Sequence, residues 1–182
     1  MDYSPTQIDD VLLIKPSIFT DDRGFFFESY RQSRFKEAGL DIQFVQDNVS
    51  YSHKNILRGF HYQIENPQDK LVMALQGEVL DVAVDLRRSS PTFGQTVTRI
   101  LSEENKHQLF VPKGFAHGFL VRSKSALIHY KCSNYYNPDG ERGLKWDDPA
   151  LEIDWGVAKP ILSDKDRQHP LLADVPEPDL FK

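Results

Sequence analysis

Apolar residues run along this chain in short bursts separated by turn residues, the pattern of many β-strands rather than of long amphipathic helices. Val11-Leu12-Leu13-Ile14 is predicted as a first strand, stopped by Pro16. Asp21-Asp22-Arg23-Gly24 makes a turn, and Phe25-Phe26-Phe27-Glu28-Ser29 a second strand. Ser29 to Ala38 is polar with Phe35 and Ala38 on one side, which predicts a short helix with Gly39 where a C′ residue belongs. Phe44 to Ser50 is strand-like but carries amides. Leu57 to Gln63 and Lys70 to Leu75 are strands flanking an Asn66–Asp69 turn, and Gly77 turns the chain again. Glu78 to Leu86 alternates, with Leu80, Val82, Val84 and Leu86 on one face and Asp81 and Asp85 on the other. Thr96–Leu101, Gln108–Val111, Phe119–Val121 and Ala126–Tyr136 are further strands, and Ser163 caps one helical turn in the Pro- and Asp-rich stretch after Pro160. The expected architecture is an all-β jelly-roll β-barrel with a few short helices, as a single domain over residues 1–182.

Composition narrows the function. The net charge of −5 offers no basic footprint, so nucleic acid is not an expected partner, although a local cluster of Arg and Lys would still suit a small anion. The single cysteine, Cys132, cannot form an intramolecular disulfide. No apolar run approaches a membrane span, and Met1 to Pro5 opens no signal peptide, so a cytoplasmic location is expected. Twelve Phe and seven Tyr suit a β-rich core or a cavity that stacks on planar rings.

Leu57-Arg58-Gly59-Phe60-His61-Tyr62-Gln63 stands out because a guanidinium and an imidazole sit inside an apolar strand. Either the sheet is ordinary with a satisfied His61, or the strand lines a polar cavity. Strict alternation puts Arg58 and His61 on opposite faces. Both reach one cavity only if the strand is irregular, and Gly59 is the natural place for a bulge. A metal fits poorly: metal-binding cupin barrels use paired histidines and a carboxylate, and here the pair reads His61-Tyr62-Gln63. The later element, Pro112-Lys113-Gly114-Phe115-Ala116-His117-Gly118, does match the second cupin motif. Proton transfer beside a carbonyl needs a base, an acid and a positive charge near the enolate oxygen. His61, Tyr130 and Lys70 are candidates for these three roles. Alternation puts Ala126, Ile128, Tyr130 and Cys132 on one face, read as the interior.

From about Val11 to Leu172 the chain resembles the dTDP-4-dehydrorhamnose 3,5-epimerases of the cupin superfamily. The resemblance rests on Asp22 to Glu28, Phe44 to Asn48, Leu57 to Gln63, Lys70-Leu71-Val72, Gly77 to Asp85, Ser90 to Gly94, Pro112 to Phe119, Tyr130 to Tyr136 and Leu162 to Asp166. It implies a metal-free, cofactor-free epimerase that inverts C3 and C5 of a dTDP-4-keto-6-deoxyhexose. The catalytic set it implies is His61 as base, Asp166 as its carboxylate partner, Lys70 at the enolate oxygen and Tyr130 as the opposing acid. It also implies substrate contacts from Arg23, Glu28, Gln46, Asp47, Asn48, Arg58, His117, Tyr136, Glu141 and Lys165. A homodimer is implied as well, with N-terminal strands, and so Arg23 and Glu28, serving the partner's site. Met73 stands where relatives often carry Arg, and the tail after Asp174 has no family pattern. Inversion of a single centre, or binding of a sugar nucleotide without turnover, are the competing readings. A base and an opposing acid together argue against the second.

Overall fold

The computed structural model describes all of residues 1–182. Thirteen strands follow in chain order: β1 (Asp2–Pro5), β2 (Leu12–Lys15), β3 (Ile18–Asp21), β4 (Gly24–Phe27), β5 (Gln46–His53), β6 (Leu57–Gln63), β7 (Lys70–Gln76), β8 (Glu78–Asp85), β9 (Thr96–Ser102), β10 (Gln108–Val111), β11 (Phe115–Val121), β12 (Ser125–Cys132) and β13 (Glu141–Gly143). Two short helices, α1 (Gln32–Glu37) and α2 (Asp164–Arg167), interrupt them. A six-stranded sheet in the order β1-β2-β10-β7-β12-β5 packs on a five-stranded one, β13-β6-β11-β8-β9, while β3 and β4 form a separate hairpin.

The core between the sheets comes from alternate residues of both. Val72, Ala74, Leu109, Ala126 and Ile128 face Val79, Ala83, Val97, Phe115 and Phe119. The predicted alternation of β8 holds, but its aliphatic face turns away from this core. Val82, Val84 and Leu86 pack outward under Leu144, Leu151, Trp155 and Val175, so a C-terminal layer roofs the five-stranded sheet. The inward face carries Asp81 and Asp85, both fully buried. Asp85 takes bonds from Arg87, Ser90 and Thr92, and Asp81 lies against His117, so both buried carboxylates are satisfied.

The irregularity expected at Gly59 is present. His61 pairs with His117, but Arg58 pairs with Phe119, so β6 spends one more residue than β11 over this interval. Gly59 has φ +123°, and a Cβ there would stand 2.6 Å from the Gly118 Cα and 2.8 Å from the His117 carbonyl oxygen. Only glycine allows β6 and β11 to approach this closely. The Gly59–Phe60 peptide bond is cis. The slip turns Arg58 and His61 toward one cavity.

Other boundaries moved for physical reasons. Strand β12 ends at Cys132 instead of running to Tyr136, because Cys132 is the last residue paired with both β5 and β7. The strands β1, β3 and β13 carry too little buried pattern to be read in advance. In β3 all four residues are exposed, and β1 is a sheet edge ending in Pro5. Helix α1 is shorter than predicted and buries Phe35 against Tyr3, Tyr30 and Phe44, with Gly39 at φ +88° beyond it.

Candidate active site

His61 sits at the junction of two cavities. One, of about 380 Å³, is lined by Gln46, Asn48, Lys70 and Tyr130 as well as His61. The other, of about 370 Å³, is lined by Arg58, Lys165 and Asp166. Both share His61, Tyr136 and Glu141. The inward face of β5 supplies amides rather than aliphatics, which keeps this end of the barrel open and polar. Gln46 donates to the Asn48 side chain at 3.1 Å and accepts the Tyr136 backbone N–H at 2.9 Å.

Asp166 meets the imidazole from α2. Ser163 caps the helix, its hydroxyl accepting the Asp166 N–H at 3.1 Å, and this holds the carboxylate toward β6. His61 Nε2 lies 2.7 Å from Asp166 Oδ1. Asp166 is buried, which by itself would raise its pKa; the nearby His169 imidazole, the bond and charge of His61 and the Ser163 cap outweigh burial and hold it well below the usual carboxylate range. Asp166 is therefore charged at neutral pH. With Nε2 tied to it, Nδ1 is the free nitrogen of the His61 ring.

Tyr130 and Lys70 stand on adjacent strands of the six-stranded sheet, across the cavity from β6. Burial raises the Tyr130 pKa, with Cys132 and Glu141 adding and Arg58 opposing, so the phenol stays protonated. Burial lowers the Lys70 pKa, and no carboxylate pairs with its ammonium within 4.0 Å; Cys132, Asp81 and Glu141 oppose the shift from further away. A half-buried cation with no ion-pair partner is suited to charge that develops only on the substrate.

Arg58 is positioned by Ser52, whose hydroxyl accepts from Nε at 2.9 Å. Tyr136 is exposed and donates to Glu141 at 2.6 Å, and Lys165 also pairs with Glu141. Burial would raise Glu141, but the bonds from Lys165 and Tyr136 and the charge of His61 leave it lowered.

Four expected contacts lie elsewhere. Asp47 is not in the cavity: it projects from the opposite face of β5, where it pairs with Lys131 at 2.8 Å and His129 at 3.5 Å. With Gln46 and Asn48 pointing inward, the strand period of two puts the residue between them outside. His117 lines neither cavity; it is buried against Asp81, with Nε2 2.9 Å from Oδ1. Arg23 is at the exposed tip of the β3–β4 hairpin, paired with Asp21 at 2.6 Å, and Glu28 pairs with Arg31 and Arg34. Neither joins the cavities of its own chain. Met73 is buried on the face of β7 opposite Lys70, near His129 and Lys131.

Sequence reasoning missed Gln63 and Gln68 as lining residues, and missed His169; Cys132, read as interior, lines the cavity beside Tyr130. His169 follows Asp166 by three residues off a helical turn, a spacing that puts two side chains on one side and was a usable signal. The donor atoms of His61, Asp166 and His169 lie within 4.8 Å of one another, the grouping in this protein able to converge on one atom.

A two-sheet cupin-type barrel, with a carboxylate-bound imidazole on one wall and a neutral phenol on the other, defines a class of acid–base site. Comparison with known proteins gives the family. The model of the dTDP-4-dehydrorhamnose 3,5-epimerases matches residues 5–174, and the chain belongs to that family. It is 56% identical over 169 residues to the dTDP-4-dehydrorhamnose 3,5-epimerase of Pseudomonas aeruginosa, covering 92% of this chain and 93% of that one. It is 54% identical over 168 residues to the Shigella flexneri enzyme of that name, covering 91% and 93%. The crystal structure of dTDP-6-deoxy-D-glucose-3,5-epimerase from Legionella pneumophila, in complex with dTDP-4-keto-L-rhamnose, superposes with a TM-score of 0.97 at 49% identity, over 100% of this chain and 97% of that one.

Proposed function

We propose that His61 and Tyr130 act from opposite sides of a 4-keto sugar as the enzyme converts dTDP-4-dehydro-6-deoxy-D-glucose to dTDP-4-dehydro-L-rhamnose. The protein is an isomerase, epimerising C3 and C5. Both carbons flank the C4 ketone, so one carbonyl acidifies both. His61 removes the proton from carbon and becomes an imidazolium, stabilised by Asp166. Lys70 stabilises the enolate oxygen. Tyr130 then gives a proton to the other face. A single group that took and returned the proton on one side would leave the configuration unchanged, so two groups are required. The observation that carries this reading is the shared cavity: His61, bonded to Asp166, and Tyr130 line the same space.

Arg58 and Lys165 supply positive charge at the second cavity, which suits a diphosphate. Tyr136, exposed at the rim, offers a ring for the base to stack on. Replacing His61 with Ala should abolish solvent exchange at both carbons; retained exchange would remove it as base.

The homodimer belongs to the same proposal. Phe19, Phe25 and Phe26 are 65%, 59% and 69% exposed on the β3–β4 hairpin, and Val49 and Tyr51 are exposed on the outer face of β5. Apolar surface on this scale calls for a partner. A second copy would also employ Arg23 and Glu28, which their own chain leaves away from its cavities. Light scattering should give twice the 21.0 kDa chain mass. No helix is long and apolar enough to cross a membrane. The single buried cysteine fits a reducing cytoplasm, where we place the enzyme.

A further inference from the structure

We propose that His169 is a positioning residue for this reaction: standing in space that Gly143 leaves open, it braces the Asp166 carboxylate, and Asp166 in turn holds the His61 ring where proton abstraction needs it. This inference rests on His61 being the base.

Asp166 Oδ1, the oxygen that lies 2.7 Å from His61 Nε2, also faces His169 Nε2 at 3.7 Å. That is ion-pair range, beyond a hydrogen bond. The His169 side chain is 11% exposed, and its Nε2 is buried with no hydrogen-bond partner. A buried polar nitrogen left unpaired is uncommon and calls for a reason, and a residue serving only as filler would be apolar. The one charged group this nitrogen faces is the carboxylate that His61 uses. The two imidazoles meet edge to face, with ring centroids 5.8 Å apart.

The space is made on the neighbouring strand. Gly143 of β13 is the Cα partner of His61. A Cβ on Gly143 would stand 2.5 Å from both Cδ2 and Cε1 of His169, so any side chain there displaces the imidazole. Its φ lies outside the left-handed region, so backbone conformation does not demand glycine here. The glycine is explained by His169.

His169 lines neither cavity, so it does not touch substrate. It acts through Asp166. Helix α2 has four residues and gives the carboxylate little support beyond the Ser163 cap. A second imidazole beside the same oxygen limits rotation of the carboxylate as His61 charges. The other ionisable groups around His61 are Glu141, Lys70, Tyr130, Arg58, Lys165 and Tyr136. None of these forms an ion pair with Asp166 within 4.0 Å, where only His61 and His169 stand.

The test measures kcat, KM and the pH profile of kcat/KM with dTDP-4-dehydro-6-deoxy-D-glucose for full-length variants. His169→Phe, which keeps ring bulk and removes both nitrogens, should lower kcat about tenfold with KM nearly unchanged and the acid limb displaced. His169→Gln keeps an N–H donor and should stay within about threefold of wild type. Gly143→Ala should reproduce His169→Phe. In an Asp166→Asn background, His169→Phe should add no further loss. If His169→Phe does not fold, His169→Asn, whose amide is too short to reach Asp166, should show the same fall in kcat. Wild-type kcat in His169→Phe, a rise in KM alone, or a loss that persists undiminished without the carboxylate would overturn the inference. His61→Ala runs beside these variants. Activity in that variant would instead overturn the reading of His61 as base, on which the inference stands.

Discussion

Tyr130 is neutral because it is buried beside a thiol and a carboxylate, and Asp166 is charged because two imidazoles and a cap surround it. Those opposite settings divide the work between two walls of one cavity. Tyr130→Phe should keep solvent exchange at carbon while inversion falls by about a hundredfold or more, read by following deuterium and product together by NMR. Epimerisation at the wild-type rate would remove Tyr130 as acid. Asp166→Asn should cost less than His61→Ala, because it orients and stabilises rather than reacts; equal loss in a folded variant would contradict that order. At this scale the strand period decided what was legible. Alternation along β12 placed Tyr130 on the inner face with Ile128 and Cys132. The same rule forbids Gln46, Asp47 and Asn48 from facing one cavity together, and applying it to β5 would have removed Asp47 from the binding set. The spacing of His169 from Asp166 was readable, but the space that Gly143 leaves for it was not, because β13 is a three-residue strand that no sequence pattern announces.

Among the elements, β6 is the one that most needs an irregular backbone. A regular strand would separate Arg58 from His61, and the added residue at Gly59 brings them to one cavity. Gly59→Ala should therefore be destabilising by about 3 kcal/mol or more, measured by denaturant unfolding, since its Cβ would meet backbone on β11 that cannot yield. A variant of native stability would mean the two strands can part. The need for a bulge was readable from the chemistry of Arg58 and His61; its register was not, because that depends on what β11 presents opposite. The β3–β4 hairpin shows the reverse case. Its run of phenylalanines announced a strand, yet those rings face away from the core of their own chain, so the pattern recorded a surface rather than an interior.

Over the whole molecule, the C-terminal segment turns the five-stranded sheet into a buried middle layer. Phe181 exchanges backbone bonds with Leu86 and Arg88, and its ring lies 5.9 Å from that of Tyr62. This layer leaves the Tyr62 hydroxyl buried with no partner. Burial, with Asp179 adding and Arg142 opposing, pushes the phenol from 10.0 up to about 12. A pKa raised on folding means that the folded state holds the proton more tightly. The stability it contributes is complete below about pH 10 and is lost as pH rises toward 12. Tyr62→Phe should flatten that alkaline loss and raise stability at neutral pH by about 1 kcal/mol, because an unsatisfied buried hydroxyl is removed. Thermal melts across pH 8 to about 12 check both. A lower melting temperature at neutral pH would show that the hydroxyl has a partner. The barrel was legible from the run of short strands, but its roof was not. Trp155, Val175 and Phe181 are scattered through proline-rich coil without periodicity, and only the apolar back of β8 gives them a place.

The most direct test of two groups acting across one ketone is incubation of the enzyme with dTDP-4-dehydro-6-deoxy-D-glucose in D₂O, with label located by NMR. Deuterium at both C3 and C5 of inverted product is expected. Label confined to one carbon, or inversion without label from solvent, would contradict the mechanism.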